Sequence, residues 1–320
     1  MSREERKLRK HLEEKAKREF RKARKFTGKR PAGSRSQSAG LVVETGPGFC
    51  DVMSDGQRLR CRSIPGVAVG DQVLYSLDRR RVEDILPRRT VLSRADPQNP
   101  RIERVLAANV DLVVIVVAIE NPPLRVGLID RYLIAIAKSG AEPLICVNKV
   151  DLAEGAADRG TLRPYQDLGI PVVFCSAVTG EGLDELSTRL AGKTCVFSGH
   201  SGVGKSSLLN ALAPGLDLST NTVSEANKKG RHTTTGSIML GILNGAMVID
   251  TPGIREFGLW DVGAGDLHAY FPEFDSVRCS FSDCTHTHEP DCGVKAAVDR
   301  GDVSRERYLS YFRIMNASES

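Results

Sequence analysis

Residues Gly199-His200-Ser201-Gly202-Val203-Gly204-Lys205-Ser206 have the form G-x4-G-K-S, and Asn148-Lys149-Val150-Asp151 stands upstream of them. The usual order of a phosphate loop and a guanine-reading motif is the reverse, so the sheet that carries both must be threaded in a permuted order. The loop follows an apolar run, Thr194–Phe197, and opens an amphipathic stretch, Lys205–Leu212. This context supplies what phosphate binding needs: glycines whose N–H groups can face the phosphates, and a helix N-terminus that adds positive potential. Lys205 is predicted to reach the outer phosphates and Ser206 to ligate Mg²⁺.

The second motif sets the base. Asp151 can accept hydrogen bonds from guanine N1–H and N2–H₂, a pattern adenine cannot offer. Lys149 can lie along the base plane, and Asn148 can brace the phosphate loop. Cys175-Ser176-Ala177, after the run Pro171–Phe174, fits the element that backs the base, with Ser176 and Ala177 as its contacts.

Two further motifs belong to a nucleotide-sensitive switch. In Asp250-Thr251-Pro252-Gly253, Asp250 ends an apolar run and can hold a water of the Mg²⁺ shell, while the Gly253 N–H can contact a γ-phosphate. In His232-Thr233-Thr234-Thr235, one threonine should complete the Mg²⁺ shell; Thr234 is the choice, with Thr233 and Thr235 as alternatives in register. The residue after Gly253 is Ile254, so the water-orienting glutamine of Ras-type enzymes is missing. His232 is the candidate that replaces it. Slow hydrolysis alone and strong activation by a partner are predicted.

The 320 residues are 41% apolar, enough for two to three domains. The net charge of +5 conceals an asymmetry: residues 1–39 hold fifteen Lys/Arg against five Glu, so the remainder is net negative. A basic extension beside a nucleotide switch points to nucleic-acid phosphates as its partner. No apolar run is long enough for a membrane span, and no apolar segment follows the basic N-terminus, so a soluble, cytoplasmic, monomeric protein is expected.

The pattern divides into a flexible extension (1–39), a small β-barrel of five short strands (40–88), a mostly parallel α/β sheet covered on both faces (89–262), and short helices around a cysteine-rich segment (263–320). Pro87–Pro100 reads as a polar linker. Cys50, Cys61, Cys146, Cys175 and Cys195 are scattered and read as buried thiols. Cys279-x4-Cys284-x-His286-x5-Cys292 is the ligand set of a closed structural Zn²⁺ site, with His288 as the alternative imidazole.

Together these motifs resemble the circularly permuted GTPases, and closely the ribosome small-subunit-dependent GTPase A family. The resemblance covers about residues 40–315 and rests on Gly199 through Ser207, His232–Thr235, Asp250 through Trp260 and the Cys/His spacing. It implies an OB-fold that contacts rRNA, a permuted P-loop GTPase centre and a C-terminal, mostly α-helical zinc domain. It also implies action late in maturation of the small (30S) subunit, on its 16S rRNA, with GTP hydrolysed to GDP under stimulation by the subunit and coupled to release. The position matching His232 is the family's proposed catalytic histidine. Arg58-Leu59-Arg60-Cys61-Arg62 and Arg79-Arg80-Arg81 are candidate RNA contacts or ordinary solvated strand faces. The permutation would lead the Asp250 switch through Phe257–Trp260 directly into the zinc domain. A second reading keeps the RNA binding but makes hydrolysis incidental, with nucleotide occupancy alone setting affinity.

Overall fold

The computed structural model describes residues 37–96, 99, 102–153, 160–213, 236–250 and 264–318. His232, Thr233–Thr235, Gly253, Trp260 and nearly all of the basic extension lie outside the described residues.

Five strands form the N-terminal barrel: β1 (Gln37–Gly46), β2 (Phe49–Ser54), β3 (Gln57–Arg62), β4 (Gln72–Ser76) and β5 (Arg81–Ile85). It closes because β1 pairs with both β2 and β4, and β5 pairs with both β3 and β4. Closure removes the unpaired edges that a sheet this small would otherwise expose. Alternation along the strands sends Val42, Cys50, Val52, Val73, Tyr75 and Val82 into the barrel interior. It sends Leu41, Val43 and Met53 outward into the core shared with the next domain. Cys50 and Cys61 are buried register partners, and burial, followed by the neighbouring Cys61, pushes the Cys50 thiol up to about 12. It therefore packs as a protonated apolar group.

The linker read at Pro87–Pro100 contains β6 (Val91–Ala95), which forms an antiparallel hairpin with β7 (Glu103–Ala108) just beyond it. Leu92 and Leu106 of this hairpin join the same shared core, which outweighs the polar composition around them.

The nucleotide sheet consists of β8 (Leu112–Ala118), β9 (Glu142–Asn148), β10 (Val172–Phe174), β11 (Thr194–Ser198), β12 (Ile238–Gly241) and β13 (Met247–Asp250). Its order is β10-β9-β8-β11-β13-β12, with the first five strands mutually parallel and β12 antiparallel. Every residue of β8 is buried, as a strand covered on both faces requires. Val113, Ile115 and Val117 face one core, which includes helix α1 (Val126–Ser139). Leu112, Val114, Val116 and Ala118 face the other. There they meet apolar side chains of α3 (Leu183–Leu190) and α4 (Lys205–Leu212); the short α2 (Arg163–Asp167) contributes Tyr165 to the first core. Each fully buried aliphatic side chain contributes about 1.5–3 kcal/mol, so this strand anchors the domain.

The C-terminal part contains α5 (Gly293–Arg300) and α6 (Arg305–Ser318). It has a small core of its own, built on Phe271, Phe274, Val294, Tyr311 and Ile314, to which α1 adds Ile134. A buried charge cluster fastens it to the nucleotide domain. Arg307 of α6 donates through Nη1 to Asp130 Oδ1 of α1 at 2.6 Å, and through Nε and Nη2 to Glu273 at 2.7 and 2.9 Å. Tyr165 donates to the same Asp130 oxygen at 2.8 Å, and the guanidinium lies 4.5 Å from the Phe271 ring centroid. Among the described residues, no helix is long and apolar enough to cross a membrane.

Candidate functional site

The parallel strands deliver their C-terminal ends to one edge of the sheet, the edge where ligands of open α/β sheets bind. Asn148 ends β9, Ser198 ends β11 just before the phosphate loop, and Asp250 ends β13. Because β11 and β13 are adjacent and parallel, the loop and Asp250 emerge side by side. The permuted chain order thus leaves the spatial arrangement of the motifs intact.

Asn148 binds the pieces together. Its buried side chain donates to the Val203 carbonyl at 2.9 Å and accepts from the Ala177 N–H at 3.2 Å. The Ser176 hydroxyl donates to Asp151 Oδ1 at 2.5 Å, which fixes the carboxylate. Lys149 has a left-handed backbone (φ +65) and donates its ammonium to the Asn121 carbonyl in the turn after β8. Val150 is buried and donates its N–H to the Cys175 carbonyl, tying the guanine motif to the base-backing element.

Within the phosphate loop, two glycines are demanded by contact as well as by conformation. A Cβ on Gly204 (φ +92) would lie 2.2 Å from Asn148 Nδ2, and one on Gly199 (φ +146) would lie 2.1 Å from the Val116 carbonyl oxygen. Gly202 also adopts positive φ, whereas Val203 is buried against α4. Lys205 donates its ammonium to the carbonyls of Gly199 and His200 at 2.7 and 2.8 Å, which places positive charge on the loop. His200 and Ser201 are exposed, while Ser206 and Ser207 are half-buried in the first turn of α4. Concave backbone, cationic side chain and helix N-terminus together make a site for phosphate oxygens.

The cysteine-rich segment forms a second site. The ligand atoms of Cys279, Cys284, His286 and Cys292 all lie within 4.8 Å of one another. Cys279 Sγ is 3.4 Å from His286 Nδ1 and 3.9 Å from Cys292 Sγ, and Cys292 Sγ is 3.6 Å from His286 Nδ1. A tetrahedral ion with bonds of about 2.3 Å to sulfur and about 2.0 Å to nitrogen requires edges of about 3.5–3.8 Å. The edges among Cys279, His286 and Cys292 lie close to these values, and with Cys284 inside the same 4.8 Å the four groups could hold a single metal ion. His288 stands apart, its Nδ1 engaged with Thr287 Oγ1 at 3.0 Å. Around the cluster, Tyr308 donates to the His286 carbonyl and Tyr311 to the Thr285 carbonyl. Glu289 is held at about 2: burial works to raise it, and hydrogen bonds from Thr285 and Thr287 outweigh that effect.

On the barrel, the arginines of β3 are not all equivalent. Asp51, buried on β2, receives Arg58 Nε at 2.8 Å and Arg60 Nε at 2.8 Å, and Arg58 also reaches Glu44. The Arg60 guanidinium stacks over the Phe49 ring at 4.3 Å. Arg62, Arg79, Arg80 and Arg81 are exposed. Three relationships had no local sequence signal: Asn121 with Lys149, Asp130 with Arg307, and the junction of β1 with β12.

A family model described as RsgA GTPase matches residues 85–260. The chain is 42% identical to the small ribosomal subunit biogenesis GTPase RsgA of Gemmatimonas aurantiaca over 281 residues, 86% of this chain and 92% of that protein. To the protein of the same name from Chlorobaculum tepidum it is 38% identical over 307 residues, 89% of this chain and 96% of that protein. Its fold matches the crystal structure of YjeQ from Thermotoga maritima at TM-score 0.72 and 33% identity, covering 89% of this chain and 99% of that one. It also matches YloQ, a circularly permuted GTPase, at TM-score 0.67 and 27% identity, covering 91% and 98%. Strand order, site geometry and sequence agree: the chain belongs to the RsgA GTPase family.

Proposed function

We infer that this protein is a GTP-hydrolysing enzyme of small-ribosomal-subunit biogenesis. The observation that carries the nucleotide assignment is the Asn148 side chain, which joins the guanine motif to the phosphate loop through Val203 and to the base-backing element through Ala177. In this reading Asp151 selects guanine, Lys149 lies along the base, and Gly199–Ser207 with Lys205 hold the phosphates. Ser206, Asp250 and Thr234 hold Mg²⁺, Gly253 contacts the γ-phosphate and His232 positions the attacking water. Magnesium would neutralise charge developing on the phosphoryl oxygens. The divisions are 1–39, 40–88, 89–262 and 263–320; the protein is cytoplasmic and monomeric, with the barrel and basic extension directed at 16S rRNA.

Cys279, Cys284, His286 and Cys292 would hold one structural Zn²⁺, since protein groups fill all four positions. Elemental analysis should find one zinc per chain, and conversion of Cys292 to Ser should lower both zinc content and the stability of the C-terminal part.

Release from the subunit follows hydrolysis in this account. The test is co-sedimentation of wild type and His232→Ala with purified small subunits in GTP, GDP and a non-hydrolysable GTP analogue. Wild type should leave the subunit in GTP, and His232→Ala should stay bound. Equal release by both proteins, despite lost turnover, would favour occupancy rather than hydrolysis as the trigger.

A further inference from the structure

The barrel and the nucleotide domain are one continuous sheet. Strand β1 gives one edge to β2 along its second half. On its other edge, Gln37–Leu41 pair with β4 and Val42 bonds the Gly70–Asp71 backbone just before it, after which Glu44 pairs with Ile238 at the start of β12. A bulge between Val42 and Glu44, seen in the pairing with β2, accompanies this change of partner. Bulges bend and twist a strand locally, which lets one strand serve two sheets.

The register then runs straight across to the C-terminal end of β13. Ile238 is the partner of Glu44 on one side and of Asp250 on the other. Next to this row, the Thr45 N–H donates to the Ser237 carbonyl at 2.9 Å, and the Ser237 N–H donates to Thr45 Oγ1 at 3.3 Å. The approach is close enough that a Cβ on Gly236 would lie 1.7 Å from the Thr45 carbonyl oxygen. Gly236 directly follows Thr235 in the sequence. Behind the junction, Leu41, Val43 and Met53 of the barrel share a core with Met239, Met247 and Ile249.

We propose that Thr45 couples the barrel to the nucleotide site without belonging to that site: through Ser237 and Gly236 it fixes the start of β12, so that engagement of the barrel and the state of the nucleotide bias each other. The proposal rests on the small-subunit reading above. Coupling between two sites is reciprocal, so an element that transmits subunit binding to the nucleotide must also transmit the nucleotide to the subunit. The Thr45 side chain is suited to this because it makes a hydrogen bond specific to the junction and none that closes the barrel is needed from it.

The test compares GTP turnover, alone and with purified small subunits, for wild type, Thr45→Val, Thr45→Ser and Gly236→Ala, each checked for folding by circular dichroism. Thr45→Val deletes the acceptor for Ser237, and loss of one such hydrogen bond should lower stimulation by about three- to tenfold. Unstimulated turnover should stay within about twofold, because the coupling is lost rather than the site. Thr45→Ser should keep the stimulation, and Gly236→Ala should lose it. Wild-type stimulation in both Thr45→Val and Gly236→Ala would overturn the proposal while leaving the small-subunit reading intact. Equal loss of stimulated and unstimulated rates would also overturn it, since that is the mark of a structural role. A wild-type protein that subunits do not stimulate would overturn the small-subunit reading, and the coupling with it.

Discussion

Asn148 donates its side-chain amide to the carbonyl of Val203, 55 residues later in the chain, at 2.9 Å. This contact explains why a permuted order is tolerated: the guanine motif and the phosphate loop need adjacency in space, and the sheet order β9-β8-β11 provides it. Asn148→Ala leaves the Val203 carbonyl and the Ala177 N–H without their partner, at a cost of about 1–3 kcal/mol. Affinity for both GTP and GDP should fall by about ten- to a hundredfold, read by titration with a fluorescent nucleotide. Gly204→Ala should act in the same direction, because the new Cβ collides with this amide.

Asp151 is held by the Ser176 hydroxyl at 2.5 Å, so one carboxylate oxygen is fixed in place. Asp151→Asn exchanges an acceptor for a donor. Guanine nucleotides should bind at least about a hundredfold more weakly, and xanthine nucleotides, with an acceptor at C2, should bind in their place. Unchanged binding of GDP in a competition assay would contradict the assignment of the base.

The pair Asp130–Arg307 joins residues 177 positions apart, with side chains 0% and 4% exposed. Removing one partner of a buried pair strands the other charge, at a cost of about 3–5 kcal/mol. Arg307→Met should therefore lower the urea midpoint strongly, and pairing it with Asp130→Leu should recover only part of the loss, because Glu273 still lacks the guanidinium. A midpoint unchanged by Arg307→Met would mean that the C-terminal part is not fastened at this point.

These cases also mark how far the sequence could be read. Lys205–Leu212 was legible to the residue, because a strong motif bounded it. The four metal-binding candidates were legible from spacing, and the choice of His286 over His288 follows from which imidazole faces the thiols. The β6–β7 hairpin was not legible, since prolines and charges surround its few core residues and only tertiary packing of Leu92 and Leu106 selects it. Asp130–Arg307 and Thr45–Ser237 were invisible for a related reason. Long-range partners leave no periodic signal, and each residue alone resembles an ordinary polar surface position.

The barrel carries a pH dependence with a definite sign. Burial works to raise the Asp51 carboxyl, but hydrogen bonds from Arg60 and Arg58 outweigh it and hold the group below the usual carboxylate range. The stability this provides is present above the unfolded value of about 3.9 and is lost as pH falls through the lower folded value. Urea midpoints from about pH 6 to about pH 3 should decline, and Asp51→Asn should flatten part of that decline. A decline of the same size in the variant would assign it to other carboxylates.

The most direct measurement is GTP turnover by the purified protein with and without small ribosomal subunits, at low and moderate salt. With Ile254 in place of a water-orienting glutamine, turnover alone should be slow. Subunits should raise it by at least about tenfold, less so as salt screens the contacts with rRNA. A high rate without subunits, or the same rate with them, would contradict the account.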